Sequence, residues 1–350
     1  MMENPFTLTF GKPPEQFINR YDQTEQIKSY FLGKSPVSQI YLIEGVRGSG
    51  KTVLMTSIAN DFSEDDEWVV LNLNPTQNLL DDFANRLSDS CKNISGLLEK
   101  GFNLSAGGFG IGINGKENED SVSVISDLLT RLKRKKKHVL ITIDEVAPDQ
   151  NMRIFASQFQ ILIREDYPIF LLMTGLYENI YAIQNDPALT FLLRSPKVSL
   201  EPLSITQIVS HYKRVFQTDQ DTAINLAKIT RGYAFAFQAL GLLYWEYGKT
   251  TPLEEILEKL DGMLDDFVYK KIWAGLSRQD KNVILAIGET QTAQVKDICM
   301  RTGMTSSTFA KYRERLIKQG LLTAPEHGVL SITLPRFYRI AKNYAMMEES

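Results

Sequence analysis

The chain has 350 residues, 43% of them apolar, which suits two or three soluble globular domains. No apolar run reaches the roughly 18 residues that span a bilayer, and MMENPFTLTFGKPP at the start lacks the basic-then-apolar pattern of a secretory signal, so no membrane partner and a cytoplasmic location are expected. Two cysteines, Cys91 and Cys299, and three histidines argue against a disulfide framework or a Cys/His zinc site, and the net charge of -3 conceals a basic segment, 276–350, with 11 Lys/Arg against 7 Asp/Glu.

In chain order, the first informative stretch is QIYLIE at 39–44, a short buried strand by its pattern, followed by GVRGSGKT at 45–52. The spacing is G-x-x-x-x-G-K-[ST], with Gly45, Gly50, Lys51 and Thr52 in the required places. Glycines let successive backbone N–H groups curl around a phosphate, the lysine neutralises it, and the hydroxyl holds magnesium. TVLMTSIANDF then places Val53, Leu54, Ile58 and Phe62 on one helical face. The loop therefore opens a helix, where aligned peptide dipoles favour anions. Gly45, Arg47, Gly48, Ser49, Gly50, Lys51, Thr52 and Val53 form the expected nucleotide-binding stretch.

Further strand candidates follow at 68–74, 138–145, 168–175 and 197–203, rich in β-branched residues and separated by helical patterns. Together they predict a parallel sheet covered on both faces. The glycine-rich NLSAGGFGIGING reads as an insertion or hairpin without a catalytic part. A helix over 122–137 carries Val122, Ile125, Leu128, Leu129 and Leu132 on one face and ends RLKRKKKH. Cations at that end complement the helix dipole, a better reading than nucleic-acid contact.

In HVLITIDEVA the apolar run ends in Asp144 and Glu145. Carboxylates at a strand's C-terminal edge sit where ligands bind in open α/β sheets. Asp144 is expected to hold magnesium with Thr52, leaving Glu145 as general base toward a water attacking the γ-phosphate. Thr174 closes IFLLMT in the same way, either orienting that water or simply capping the strand. Arg194 in FLLRSP has two readings, a guanidinium reaching a neighbouring subunit's γ-phosphate in a homo-oligomer, or a surface arginine.

From 204 to 270 the periodicity is helical throughout, a small bundle. After it come three short helices, with Gly303 in the turn between the second and third, and two strand-like runs in LLTAPEHGVLSITLP. That is the pattern of a winged helix. Its third helix, Thr305 to Gln319, turns Phe309 and Leu316 inward and Ser306, Ser307, Thr308 and Lys311 outward, with Arg313 and Arg315 within reach of phosphates or of an acid on an adjoining helix.

On these motifs the chain resembles the AAA+ ATPases, in particular their initiator-like and archaeal-ATPase-type members, which border on the signal-transduction ATPases with numerous domains. The resemblance is carried by GVRGSGKT (Walker A), LITIDE (Walker B), LLMTG (sensor 1), the arginine of LLRSP, and FINRYDQTEQI at 17–27, which is similar to the segment lining the adenine pocket and so implies Phe17, Ile18 and Arg20 beside the base. It covers nearly the whole chain. It implies an α/β P-loop NTPase with a nucleotide-binding domain at 1–203, a helical lid at 204–270 and a winged helix at 271–350, binding ATP or ADP with Mg2+ between sheet and lid. One departure stands out: where the family's lid often has a sensor arginine, GYAFAFQALG offers Ala234, Phe235, Ala236 and Phe237, with Arg231 just before at the wrong spacing. The expected function is an ATPase whose Mg-ATP binding and hydrolysis reposition the winged helix on duplex DNA. The alternative is a slow or non-hydrolysing nucleotide-gated protein switch whose winged helix binds no DNA.

Overall fold

A computed structural model describes residues 3–9, 18, 20–33, 36–92, 94 and 117–349. The glycine-rich stretch at 104–115 and Phe17 lie outside them. The chain divides into two compact units: one comprises Arg20–Glu44 and Lys51–Ser199, the other Met1–Asn19, Gly45–Gly50 and Leu200–Ser350. We call them the sheet unit and the helical unit.

The sheet unit is built on strands β1 (Ile40–Glu44), β2 (Trp68–Leu73), β3 (His138–Ile143), β4 (Ile169–Gly175) and β5 (Lys197–Ser199). They run parallel in the order β2-β3-β4-β1-β5. Every residue of β1 and β4 is buried, as continuous apolar strands in the middle of a parallel sheet must be. Helices α1 (Tyr21–Phe31), α2 (Lys51–Ser63), α3 (Leu79–Lys92), α4 (Glu117–Arg134), α5 (Gln150–Arg164) and α6 (Tyr177–Gln184) belong to this unit. On α4, Ile125, Leu128, Leu129 and Leu132 are buried in one apolar cluster with Phe83 and Leu87 of α3 and Phe155 and Phe159 of α5. The basic run at its end closes locally: Lys133 donates to the Asp166 carbonyl and carboxylate, and Lys137 to the Asp66 carbonyl. Strand β5 is shorter than 197–203, ending before the Glu201–Pro202 step, where proline removes a ladder donor.

Register aligns the C-terminal ends of the central strands. Ile43 pairs with Thr174, and Ile143 with Met173, so the last residues of β1, β3 and β4 end side by side. Glu44, at the tip of β1, is buried and held by Lys197 at 3.0 Å and the Ser199 hydroxyl at 2.7 Å.

The helical unit contains α7 (Ile205–Phe216), α8 (Gln220–Thr230), α9 (Ala234–Tyr247), α10 (Leu253–Leu264), a π turn at Asp265–Tyr269, α11 (Lys270–Gly275), α12 (Arg278–Ile287), α13 (Val295–Thr302), α14 (Ser306–Lys318) and α15 (Phe337–Glu349). An antiparallel sheet is formed by β6 (Thr292–Gln294), β7 (Leu322–Thr323) and β8 (Val329–Ile332) in the order β6-β8-β7. Helix α9, AFAFQALGLLYWEY, is apolar almost all round, the signature of a helix enclosed by others. One apolar cluster runs from Tyr212 and Phe237 through Tyr269 to Phe309, Leu316 and Phe337. Phe6 joins it from the N-terminal segment, its ring 5.9 Å from Tyr212, 5.6 Å from Phe216 and 5.7 Å from Phe237. No helix among the described residues is long and apolar enough to cross a membrane.

Candidate nucleotide site

The site begins where β1 stops. The chain leaves the sheet unit after Glu44, spends Gly45–Gly50 in the helical unit, and re-enters the sheet unit at Lys51, the first residue of α2. Gly48 and Gly50 have φ of 75° and 94°, the left-handed region that glycine enters without cost. Ser49 N–H donates to the Val46 carbonyl at 3.3 Å, closing the turn.

Within the helical unit the start of α9 seals the outer side of this loop. The Tyr233 hydroxyl donates to the Arg47 carbonyl at 2.6 Å, and the Phe235 N–H donates to the Gly48 carbonyl at 3.1 Å. A side chain at Gly48 would collide with the Tyr233 hydroxyl and lie 2.9 Å from its Cζ. Burial pushes the Tyr233 phenol far above its ordinary pKa, so it stays a donor. These two bonds fix the Arg47 and Gly48 carbonyls toward the start of α9.

Behind Tyr233 a chain of contacts continues. Its ring stacks on Tyr269 at 6.4 Å and 26°, and the Tyr269 hydroxyl donates to the Pro335 carbonyl at 2.7 Å. Arg231, the residue considered as a substitute sensor, is the left-handed cap of α8. Its guanidinium donates to the Ile332 carbonyl at 2.6 Å and Ser331 Oγ at 3.2 Å, so it is committed to β8.

In the sheet unit, three polar residues from three elements meet. The Thr52 hydroxyl, in the first turn of α2, donates to Asp144 Oδ2 at 2.7 Å, and the Thr174 hydroxyl at the tip of β4 donates to Asp144 Oδ1. Thr174 is fully buried. Glu145 follows with φ 53°, unusual for a side-chain-bearing residue and costing about 1 kcal/mol or more. Its N–H donates to Asp144 Oδ1 at 3.1 Å and Thr174 Oγ1 at 3.2 Å, and those bonds hold the turn. The Val146 N–H donates to the Thr174 carbonyl at 2.9 Å, locking the strand ends together.

Lys51 is buried at the start of α2, whereas Val53 is only half-buried beside it. One carboxylate and one hydroxyl, both hard oxygen donors, fit Mg2+, which takes few protein ligands and completes its shell with phosphate oxygens and water. Among the described residues no group of three or more His, Cys, Asp or Glu gathers as a self-sufficient metal cage.

Arg194, Ile18 and Arg20, also singled out in the sequence, stand on other elements. Arg194 is exposed at the end of a 3-10 turn, Pro187–Arg194, and is outside the Asp144 hydrogen-bond group. Ile18 is buried in the helical unit's apolar cluster, while Arg20 precedes α1 in the sheet unit. Sequence reasoning missed Tyr233 and Phe235 as partners of the loop. The signal available was a glycine followed by aromatics, GYAFAF, which reads equally as plain core.

On α14, Phe309 and Leu316 are buried as expected. Arg315, however, is spent: it pairs with Asp280 at 2.5 Å, donates to Ser277 at 3.0 Å, and lies over the Tyr312 ring. Lys318 pairs with Glu314 at 2.7 Å.

Comparison with known proteins adds the following. Residues 266–339 match a family model described as a domain of unknown function (DUF8462). No curated protein matches the chain. Among solved structures, the Walker-type ATPase PABY2304 of Pyrococcus abyssi is 14% identical, covering 94% of this chain and 97% of that one, with a TM-score of 0.65. The Aeropyrum pernix ORC2 protein, solved in ADPNP-ADP complexes, is 14% identical over 96% and 97% of the two chains, with a TM-score of 0.58. Cdc6p from Pyrobaculum aerophilum is 15% identical over 99% of each, with a TM-score of 0.52. The parallel sheet and its likeness to these structures along nearly the whole chain give an α/β P-loop fold.

Proposed function

We propose that the chain binds ATP with Mg2+ on the 45–52 loop and hydrolyses it, and that the nucleotide state repositions a C-terminal winged helix. The observation that carries this reading is the convergence of the Thr52 and Thr174 hydroxyls on Asp144, directly after a phosphate-loop sequence. Lys51 would neutralise the β- and γ-phosphates, and the N–H groups of Gly45–Gly50 would receive their oxygens. Thr52 and Asp144 are the residues to hold magnesium, which when bound neutralises charge on the phosphate oxygens. Glu145 would accept the attacking water's proton at its carboxylate, while Thr174, through its bond to Asp144, positions the group and orients that water. The fold's likeness to a Walker-type ATPase and to a protein solved with ADPNP and ADP supports the nucleotide class.

In this reading residues 1–203 are the nucleotide domain, 204–270 the lid and 271–350 the winged helix. The path from Arg47 through Tyr233 and Tyr269 to Pro335 supports coupling between loop and winged helix, because each joint is a hydrogen bond or a stacked ring. DNA is the proposed partner of the winged helix, and a homo-oligomer completed by Arg194 the proposed active state.

A second reading has its own observation. With Arg315 tied to Asp280 and Lys318 to Glu314, two of the four cations of α14 are engaged within the protein, which favours a nucleotide-gated protein switch over a DNA reader.

Calorimetry and phosphate release test the first reading together. Lys51→Ala should abolish ATP binding, whereas Glu145→Gln should keep it and lower turnover by a factor of 10² to 10⁴ (about that range for loss of a general base). Undiminished affinity in Lys51→Ala would overturn the phosphate-loop assignment. Full turnover in Glu145→Gln would remove the general-base role.

A further inference from the structure

Away from the 45–52 loop, the helical unit holds a cavity of about 780 Å³ between the end of α8, the turn at 289–291 and α15. Its size is that of a small-molecule pocket. Five cations line it, Lys228, Arg231, Arg336, Arg339 and Lys342, and Glu289 is the one carboxylate in the lining. Local needs do not account for them all. Lys228 and Arg231 close α8, where a helix C-terminus favours a cation, but one charge satisfies that dipole. Asp261 holds Arg336 by two bonds, the second at 2.6 Å, and it is 3.5 Å from Arg339. The Lys342–Glu289 pair is loose, at 3.4 Å between exposed groups, and so worth little. Two carboxylates thus face five cations that repel one another.

Arg231 is also fixed in advance. Its bonds to Ile332 and Ser331 use two of its five N–H donors and set the plane of the guanidinium. Burial lowers its pKa from the ordinary value, an electrostatic cost that an anion in the cavity would offset.

We propose that this cavity is a second phosphate site, taking a ligand with two or more phosphate groups. Two or more are needed because the cations stand on separate elements, α8 and α15, so a single small anion engages only part of the set. The ligand is either a free polyphosphate or a stretch of nucleic-acid backbone, which share this chemistry. The proposal does not depend on how the 45–52 loop is used.

The test uses the full chain carrying Lys51→Ala, so that the loop does not compete, in EDTA and low salt. Tripolyphosphate titrated calorimetrically should bind with one-to-one stoichiometry. Adding Lys228→Ala with Lys342→Ala should weaken it at least about tenfold, the scale of losing two charge-assisted contacts. Lys311→Ala with Lys318→Ala, which removes the same charge elsewhere, should change it by less than about twofold, the scale expected of remote screened charges. Absence of binding, or equal loss in the two pairs, overturns the proposal. A fluorescent 20-base-pair duplex in the same variants separates the sources: anisotropy lost with Lys228 and Lys342 assigns the site to nucleic-acid backbone, and absence of duplex binding with tripolyphosphate retained assigns it to a free polyphosphate.

Discussion

Gly241 in the middle of α9 lies against the face of Phe6, so that a Cβ built there meets three ring carbons within 2.7 Å. Gly241→Ala therefore sets two effects against each other. Alanine in a helix interior gains about 1 kcal/mol over glycine. The collision cannot be absorbed by a small tilt, because the ring is also packed on Tyr212, Phe216 and Phe237. It must retreat, and releasing a buried Phe costs about 1.5–3 kcal/mol. The segment's remaining ties to α9 are weak: Asn4 Nδ2 to the Leu242 carbonyl and Thr7 N–H to Gln238 Oε1, both at 3.3 Å. The net expectation is a loss of about 0.5–2 kcal/mol, which lowers Tm by roughly 1–8 °C in a unit of this size. In a Phe6→Ala background the obstacle is gone, so the same Gly241→Ala change should stabilise by up to about 1 kcal/mol. The sign inverts between backgrounds, a coupling of at least about 1.5 kcal/mol that urea or thermal unfolding of the four proteins measures. A Gly241→Ala shift of the same sign and size with and without Phe6 would refute the packing argument.

Tyr233→Phe removes the hydroxyl that holds the Arg47 carbonyl, so nucleotide affinity should fall about three- to tenfold, the scale of one buried hydrogen bond, by calorimetry at constant Mg2+; unchanged affinity would mean the loop keeps its shape without α9. Arg194→Ala should lower turnover with little change in nucleotide affinity, and wild-type turnover per subunit should rise with protein concentration; concentration-independent turnover by a monomer in sedimentation would refute the assignment. Arg315→Ala strands Asp280, whose side chain is 4% exposed, and should cost about 1–3 kcal/mol, below the range for fully buried pairs because Arg315 is 45% exposed. A Tm unchanged by that substitution would show that Asp280 is satisfied by Ser277 alone.

The strands were legible because parallel, doubly covered strands are written as uninterrupted apolar runs, and on β3 the polar Asp144 marks where burial stops, whereas Thr174 stays buried at the tip of β4. The turn between β1 and α2 was legible because its glycines supply the left-handed backbone that it needs. What escaped the sequence is what distance decides. Tyr233 and Arg47 are 186 residues apart, and nothing in GYAFAF says which aromatic turns its hydroxyl toward a carbonyl. Arg315 reads equally as a phosphate contact or as the partner of an acid on an adjoining helix until α12 brings Asp280 to it, and Arg231 reads as a sensor candidate at the wrong spacing until β8 supplies an acceptor. Helix α15 was not read at all, since FYRIAKNYAMMEE mixes aromatic and charged residues in a pattern whose buried side, Phe337, Ile340 and Ala341, depends on the neighbours it meets. The break of 253–275 at a π turn was equally unmarked, because the sequence there remains helical in composition.

The six residues Gly45–Gly50 belong to the same compact unit as 200–349, although the strand and helix that flank them belong to the other. Modularity in this chain therefore does not follow the linear order of the gene. A fragment spanning 20–199 retains the five strands, yet it carries the 45–50 loop without the hydrogen bonds from Tyr233 and Phe235. An exchange of C-terminal halves between related proteins would likewise graft a foreign backing onto a resident loop, so the residues at 45–50 and at 233–235 have to be inherited as a set.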